Sequence, residues 1–279
     1  MRSDCRAVVL YSGSGGNSVF IRVGESAILI DAGKSARALC SSLSAIGESI
    51  DDIDAIFITH EHSDHISALE VLAKKKDIPI HITEESAKRF DEDPRAVIHQ
   101  RLHRHDVHFS QEVGNIRVTS FRTPHDSRMS VGYRVEFPNG EGQFSLGLAT
   151  DIGYVSEEIR ENLLGCDAVI IESNHDRDML MTGPYPRELK QRVASKRGHL
   201  SNAECAELAA ELAQNGTHAF MLAHLSKENN EPEFAFDEVS RAVSGTGAEV
   251  FVARPDSPVE FVTEVKSYDE CEIYNPWNA

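Results

Sequence analysis

Three histidines and an aspartate fall within six residues, at His60, His62, Asp64 and His65. They follow an apolar run, Ile53, Ala55, Ile56, Phe57 and Ile58, which reads as a short buried strand. From Ser63 onward Ile66, Leu69 and Leu72 recur at helical spacing. A strand end, a turn and a helix start therefore carry the four polar residues. In extended backbone His60 and His62 project to the same side. Asp64 and His65 fall at the helix start and can face a second metal. Imidazole and carboxylate together suit zinc, manganese or iron and not calcium. The competing reading is a solvated polar turn, and the density of ligand types at a place where sites are built argues against it.

Later segments repeat the arrangement. Strand-like residues 116–121 lead to Thr123-Pro124-His125-Asp126-Ser127, and 144–149 to Thr150-Asp151. Residues 168–171 end in Glu172-Ser173-Asn174-His175-Asp176, and 219–223 in His224-Leu225-Ser226. A single histidine after a strand is usually structural. Several such ends, added to the opening loop, match the way α/β enzymes gather polar side chains at one edge of a sheet.

The elements that must hold these residues can be traced through the chain. Residues 7–11 and 19–23 read as strands flanking Ser12-Gly13-Ser14-Gly15-Gly16-Asn17-Ser18. That loop is either a tight hairpin or a phosphate cradle, although it lacks the lysine and following helix of a P-loop. Ile28-Leu29-Ile30 is a buried strand ending in Asp31-Ala32-Gly33. Residues 35–46 form a helix with Ala36, Leu39, Cys40, Leu43 and Ile46 on one face, stopped by Gly47. A strand at 78–82 and a short helix at 83–90 follow. Residues 91–108 show no clean periodicity; Arg95, His99, Arg101, His103, Arg104, His105 and His108 make the segment either an exposed loop or a basic lip for an anionic substrate. A strand is expected at 131–137. Ser156 caps a helix to about 164, and Ser201-Asn202-Ala203-Glu204 is a capping box opening a helix to Gln214. Before that box come Arg187, Lys190, Arg192, Lys196 and Arg197, a basic run that is either a solvated helix face or a phosphate contact. Strands at 249–253 and 261–265 close the fold, and the polar remainder holds the only tryptophan, Trp277.

With 279 residues, 41% hydrophobic and 26% charged, the chain is ordinary for a globular protein with a sizeable core. It has no apolar run long enough to cross a bilayer and no apolar N-terminal leader. Cys5, Cys40, Cys166, Cys205 and Cys271 are scattered, without a C-x-x-C pair, which fits a reducing cytoplasm. Cys40 and Cys205 lie at helical core spacing. A net charge of −17, taken alone, argues against a nucleic-acid binder, although metal ions in a site would offset part of it locally.

Taken together, Ile30-Asp31-Ala32-Gly33, Thr59 through His65, His125, Asp151 and His224 resemble, in order, the motifs of the metallo-β-lactamase-fold hydrolases. More closely the chain resembles their YycJ/WalJ-type branch. The shared segments are Gly13–Ser18 (13–18), Pro124-His125-Asp126, Ala149-Thr150-Asp151, Glu172 to Asp176, Gly198-His199-Leu200-Ser201-Asn202, and His224-Leu225-Ser226 with Glu228-Asn229-Asn230. The resemblance implies an α/β fold, a four-layer αββα sandwich forming a single domain over 1–265 with a polar tail at 266–279. It implies two divalent ions, zinc or manganese with iron as a third option. His60, His62 and His125 would hold one, Asp64, His65 and His224 the other, with Asp151 bridging. Two ions roughly 3.5–4 Å apart can trap a hydroxide as nucleophile. Asp31 would support the ligand loop.

Asp64, Glu172 and His199 are the expected catalytic residues. The last two resemble a pair that, in phosphodiesterases such as tRNase Z, relays a proton to the leaving group. The branch implies a cytoplasmic exonuclease acting on DNA, more than RNA, from the 5′ end, with phosphates placed on the basic run beside His199. No β-CASP insertion and no Gly/Pro-rich tRNA-holding arm is seen, which weighs against a tRNase Z-like RNA nuclease. A thioester or lactone hydrolase of the glyoxalase II kind shares the ligand set but needs no relay pair. A non-catalytic binding or regulatory protein commonly loses ligands, and here all seven are present. Asn174 and His175 receive no role.

Overall fold

The computed structural model describes residues 5–139 and 142–263. The expected strand end at Val265, the 266–279 tail, Cys271 and Trp277 lie outside them. One sheet is built from β1 (Cys5–Tyr11), β2 (Ser18–Val23), β3 (Ser26–Ile30), β4 (Ala55–Phe57), β5 (Ile80–Thr83), β6 (Leu102–His105) and the last strand of the described residues. The other is built from β7 (Ser110–Val113), β8 (Ile116–Thr123), β9 (Ser130–Asn139), β10 (Gly142–Ala149), β11 (Ala168–Glu172), β12 (Ala219–Ala223) and β13 (Glu249–Val252). With β14 (Val259–Thr263), the spatial orders are β14-β1-β2-β3-β4-β5-β6 and β13-β12-β11-β10-β9-β8-β7.

The two sheets face each other because their strands alternate apolar residues on both faces, as doubly covered strands must. Val9, Ile21, Ile28 and Phe57 of the first sheet meet Val118, Tyr133, Ile170 and Met221 of the second in one buried layer. The alternate residues Val8, Leu10, Phe20, Leu29 and Ile56 pack outward against α1 (Ala36–Ala45) and α3 (Leu69–Lys75), the latter following the short α2 (Ser63–Ile66). A short α4 (Glu84–Ala87) follows β5. On the far side, Val169, Ile171, Phe220 and Leu222 pack against α5 (Glu157–Leu163), α8 (Asn202–Gln214) and α9 (Pro232–Ala242). Between α5 and α8 lie α6 (Arg177–Thr182) and α7 (Arg187–Val193). The result is the four-layer αββα sandwich.

Local signals set most boundaries. Ser35, Ser156 and Ser201 each cap their helix through the hydroxyl, and Ser201 with Glu204 completes the capping box. The Gly/Ser loop is the hairpin turn joining the antiparallel pair β1–β2. The segment read as irregular at 91–108 contains a strand, β6, paired in parallel with β5. Its periodicity is hidden because an edge strand carries charged side chains along with apolar ones. The edge strand β7 and the helices α6 and α9 likewise had no sequence expectation.

Strands β3–β4–β5–β6 run parallel, as do β10–β11–β12–β13, while β8 runs antiparallel to β9 and β9 to β10. The C-terminal ends of β3 and β4, and those of β8, β10, β11 and β12, deliver the polar residues to the same place.

Candidate metal centre

Each of these strand ends must turn sharply to aim a side chain inward. Among the described residues, the only non-glycine residues with positive φ are Asp31 (62°), Asp151 (55°) and His224 (56°). They follow β3, β10 and β12. A left-handed non-glycine residue costs roughly 1–3 kcal/mol and persists only where its surroundings fix it. The surroundings are explicit for His224: its N–H donates to Ser12 Oγ at 2.8 Å, and its carbonyl accepts from Asn174 Nδ2 at 2.8 Å. Asn174, given no role from sequence, thus holds the turn that presents His224.

The loop after β4 is built around Asp31. Its carboxylate accepts from Thr59 N at 2.9 Å, Thr59 Oγ1 at 2.9 Å and His65 Nδ1 at 2.7 Å. Donation from Nδ1 leaves His65 Nε2 with its lone pair, 3.3 Å from Asp151 Oδ2 and 3.5 Å from Asp64 Oδ2. Asn17 of the hairpin closes the other side. Its N–H donates to the Asp64 carbonyl at 2.8 Å, and its side-chain amide sits 3.2 Å from His65 Nε2. Nothing in a hairpin sequence reports a partner 47 residues away, so this role of Asn17 is visible only in the fold.

His224 is oriented by the same logic. Its Nδ1 donates to Glu172 Oε1 at 2.9 Å, which turns Nε2 toward Asp151 Oδ1 at 3.5 Å and Asp64 Oδ2 at 3.6 Å. Glu172 also accepts from His199 Nδ1 at 2.7 Å, Ile152 N at 2.8 Å and Leu200 N at 3.1 Å. The expected pair is therefore in contact, but Glu172 serves two histidines. Replacing it disturbs His224 as well as His199, so loss of activity in a Glu172 variant does not by itself separate a relay role from support of the cluster.

The candidate ligands assemble into overlapping groups whose donor atoms lie within 4.8 Å of one another: His60 with His62 and His125, Asp64 with His65 and His224, and His60 with His65 and Asp151. A further group joins Asp151, Glu172, His199 and His224. His60, His65, His125, Asp151 and His224 are buried, and His62 and Asp64 partly so. His60 Nε2, Asp151 Oδ2 and His224 Nε2 are buried and make no hydrogen bond. Buried polar atoms are ordinarily paired, and orphans converging on one point fit a cation held by imidazole and carboxylate.

The electrostatics agree. Burial disfavours the charged form of His224, yet Asp151, Asp64 and Glu172 overcome it and push the group up to about 10. Burial likewise opposes a charged His65, and Asp31 and Asp151 raise it well above its usual value. For Asp151 burial acts upward, but His224, His65 and His60 hold it well below the carboxylate range. The carboxylates thus draw positive charge into this space, and bound cations supply it without protonating the ligands.

Asp126, adjacent to His125, was not singled out from sequence. Its Oδ2 accepts from Arg192 Nε at 2.8 Å, and its buried Oδ1 lies 3.4 Å from His125 Nε2 and 3.9 Å from His62 Nε2. Arg192 of the basic run is therefore tied to the centre. Two of the three arginines of 91–108 are paired: Arg104 with Glu84 and Asp91, and Arg101 with Asp77. His81 stacks between Phe57 and His105, at centroid distances of 4.7 and 5.2 Å.

The beta-lactamase superfamily domain model matches residues 26–225, the span that carries every ligand candidate. The chain is 35% identical over 257 residues to the exodeoxyribonuclease WalJ of Streptococcus pneumoniae, covering 89% of this chain and 94% of that protein. The chain belongs to the beta-lactamase superfamily, in its WalJ/YycJ family. Exodeoxyribonuclease YycJ of Bacillus anthracis is 35% identical over 239 residues, 86% of this chain and 89% of that one. The crystal structure of the metallo-beta-lactamase fold protein YhfI from Bacillus subtilis superposes with a TM-score of 0.68 at 18% identity, over 92% of this chain and 99% of that one, and shares the fold. Among the described residues no helix is long and apolar enough to cross a membrane.

Proposed function

We propose that this protein is a metal-dependent phosphodiesterase that degrades DNA as a 5′-to-3′ exonuclease. In this reading His60, His62 and His125 hold one divalent cation, Asp64, His65 and His224 the other, and Asp151 is shared between them. Zinc, manganese and iron suit this donor set. Two such cations supply a Lewis acid for a phosphoryl oxygen and make water acidic enough to attack near neutral pH.

The chain's own residues do the rest. Asp64, with Oδ2 within 3.6 Å of His65 and His224, would be both a ligand and the acceptor of the attacking water's proton. His199 Nδ1 is held by Glu172, and burial, which would lower its affinity for a proton, is outweighed by that carboxylate, so His199 is raised above its usual value. Its Nε2 is the atom that hands a proton to the leaving sugar oxygen, the step a phosphodiester needs most. Asp31, Thr59 and Asn17 fix the ligand loop so that the cluster meets the substrate already assembled. The observation that carries the reading is the Glu172–His199 pair at 2.7 Å beside the ligand cluster. The names of two relatives, each matched over most of its length, support DNA as the substrate.

The test is hydrolysis of end-labelled duplex DNA, with manganese and with zinc, by wild type, Asp151→Ala and His199→Ala. Asp151→Ala should lose metal and activity together. His199→Ala should keep its metal and lose roughly 100- to 10,000-fold in turnover. DNA left intact by a fully metallated wild type that hydrolyses a thioester would overturn the reading in favour of the glyoxalase-type alternative.

A further inference from the structure

A cleft of about 170 Å³ opens beside the candidate centre, bounded by Asp126, His199 and His224. Its remaining boundary includes Tyr185, Leu189 and Val193, residues four apart on the segment that enters and forms α7, together with Arg192. Spacing of four puts Leu189 and Val193 on one face of the helix. This helix is unusual in the fold: none of its residues is buried. It is held by polar ties, Arg192 to Asp126 and Lys190 Nζ to the Met181 carbonyl at 2.7 Å. Its apolar side chains are therefore not core residues, and they face the cleft.

Tyr185 is the aromatic member of that wall. It is half-buried and, among the described residues, no ring stacks on it and no partner bonds its hydroxyl. Pro184 and Pro186 flank it, and proline restricts both its own φ and the residue before it, so the segment bearing the ring is stiff. The charge around it is local. Arg187, Arg192, Lys196 and Arg197 are exposed along the same stretch of a chain whose net charge is −17. An exposed aromatic, Tyr154, lies under Lys196 with the ammonium 5.9 Å from its ring centre. Aromatic faces interleaved with cations are how single strands are bound without regard to sequence, each base finding a ring and each phosphate a charge. At about 170 Å³ the cleft is smaller than the roughly 300–1,000 Å³ of drug-sized sites and on the scale of a single base.

Resting on the exonuclease reading above, we propose that Tyr185 is the stacking platform for the base of the 5′-terminal nucleotide, unpaired from its complement, while the basic side chains of the α7 segment follow the phosphates. The enzyme then takes single-stranded or frayed ends, and tolerates any base because every base has a face to stack.

The test uses the metal-loaded full chain and an oligonucleotide with cleavage-resistant phosphorothioate linkages and 2-aminopurine at its 5′ end. Wild type should quench the 2-aminopurine on binding. Tyr185→Leu, which keeps apolar bulk, should abolish the quench and weaken binding by about 5- to 140-fold, the factor one stacked base is worth. Tyr185→Phe should restore both. An abasic 5′ residue should cost wild type the same factor and leave Tyr185→Leu indifferent. Equal quenching and affinity in wild type and Tyr185→Leu, with the oligonucleotide still bound by both, would overturn the stacking inference alone. A wild type that binds no DNA would overturn the exonuclease reading and this inference with it.

Discussion

A methyl group at Gly33 should disable the centre without touching any ligand. A Cβ built there would lie 1.6 Å from the Asp64 carbonyl oxygen, 2.3 Å from its carbon and 2.6 Å from Asn17 N. Gly33 does not need a positive φ, so the obstacle is contact alone. All three atoms are backbone, and no rotamer change can relieve them. Reaching even a 3.0 Å separation from the oxygen requires about 1.4 Å of movement. That movement has nowhere neutral to go. Gly33 N donates to Asn17 O at 2.9 Å, Asn17 N to Asp64 O at 2.8 Å, and Ala32 N to His65 O at 2.8 Å, so three segments are laced around this point. Relief must part Asn17 from Asp64 or shift the helix start that carries Asp64 and His65. Overpacking of this kind costs roughly 1–3 kcal/mol of stability. A displacement on the order of 1 Å at reacting groups costs about 100-fold in rate, and loss of ligand support about 10- to 100-fold in metal affinity. Gly33→Ala should therefore remain folded with a modestly lower melting temperature, bind metal about 10- to 100-fold more weakly in a chelator competition, and lose at least 100-fold in kcat/KM. Gly15→Ala in the neighbouring hairpin, where a Cβ meets nothing within 4 Å, is the control and should match wild type. Gly33→Ala with wild-type metal affinity would show that the Asn17–Asp64–Gly33 lacing does not position the ligands.

Two other changes test the supports. Glu172→Gln puts an amide where a carboxylate accepts four N–H donors, so one pair of donors must face another donor; urea denaturation should show a loss of about 2–4 kcal/mol and metal should bind more weakly, whereas a drop in turnover alone would make Glu172 a relay group only. His81 is pushed down to about 4 by burial and by His105 and His103, so it stays neutral in the fold while the unfolded chain takes up a proton near 6.5. Its contribution is complete above that value and is lost as pH falls toward 4, by on the order of 2 kcal/mol. His81→Phe, which keeps a ring against Phe57, should lose correspondingly less stability than wild type between about pH 7 and pH 4.5, and parallel losses would refute the assignment.

The sequence announced the centre because its signals are local. Three histidines and an aspartate in six residues, and acidic or histidine residues just after apolar runs, are visible without knowing the fold. So are the serine caps of α1, α5 and α8. The sheet edges were less legible: β6 and β7 are strands because of their neighbours, and Arg104 of β6 pairs with Glu84, 20 residues away. The supports were least legible of all. Asp126 gains its place from Arg192, 66 residues away, and Glu172 its second histidine from 52 residues away. Asp31, Asp151 and His224 adopt a positive φ that only a few per cent of non-glycine residues take, Asp and His more often than most. All three do so at strand ends beside the same cluster. A strain of roughly 1–3 kcal/mol at each could be released by glycine. That would cost the carboxylate or imidazole the turn exists to present. These uncommon turns gather at this one place because the side chains there answer to the assembled centre, and two of them carry the unpaired Asp151 Oδ2 and His224 Nε2.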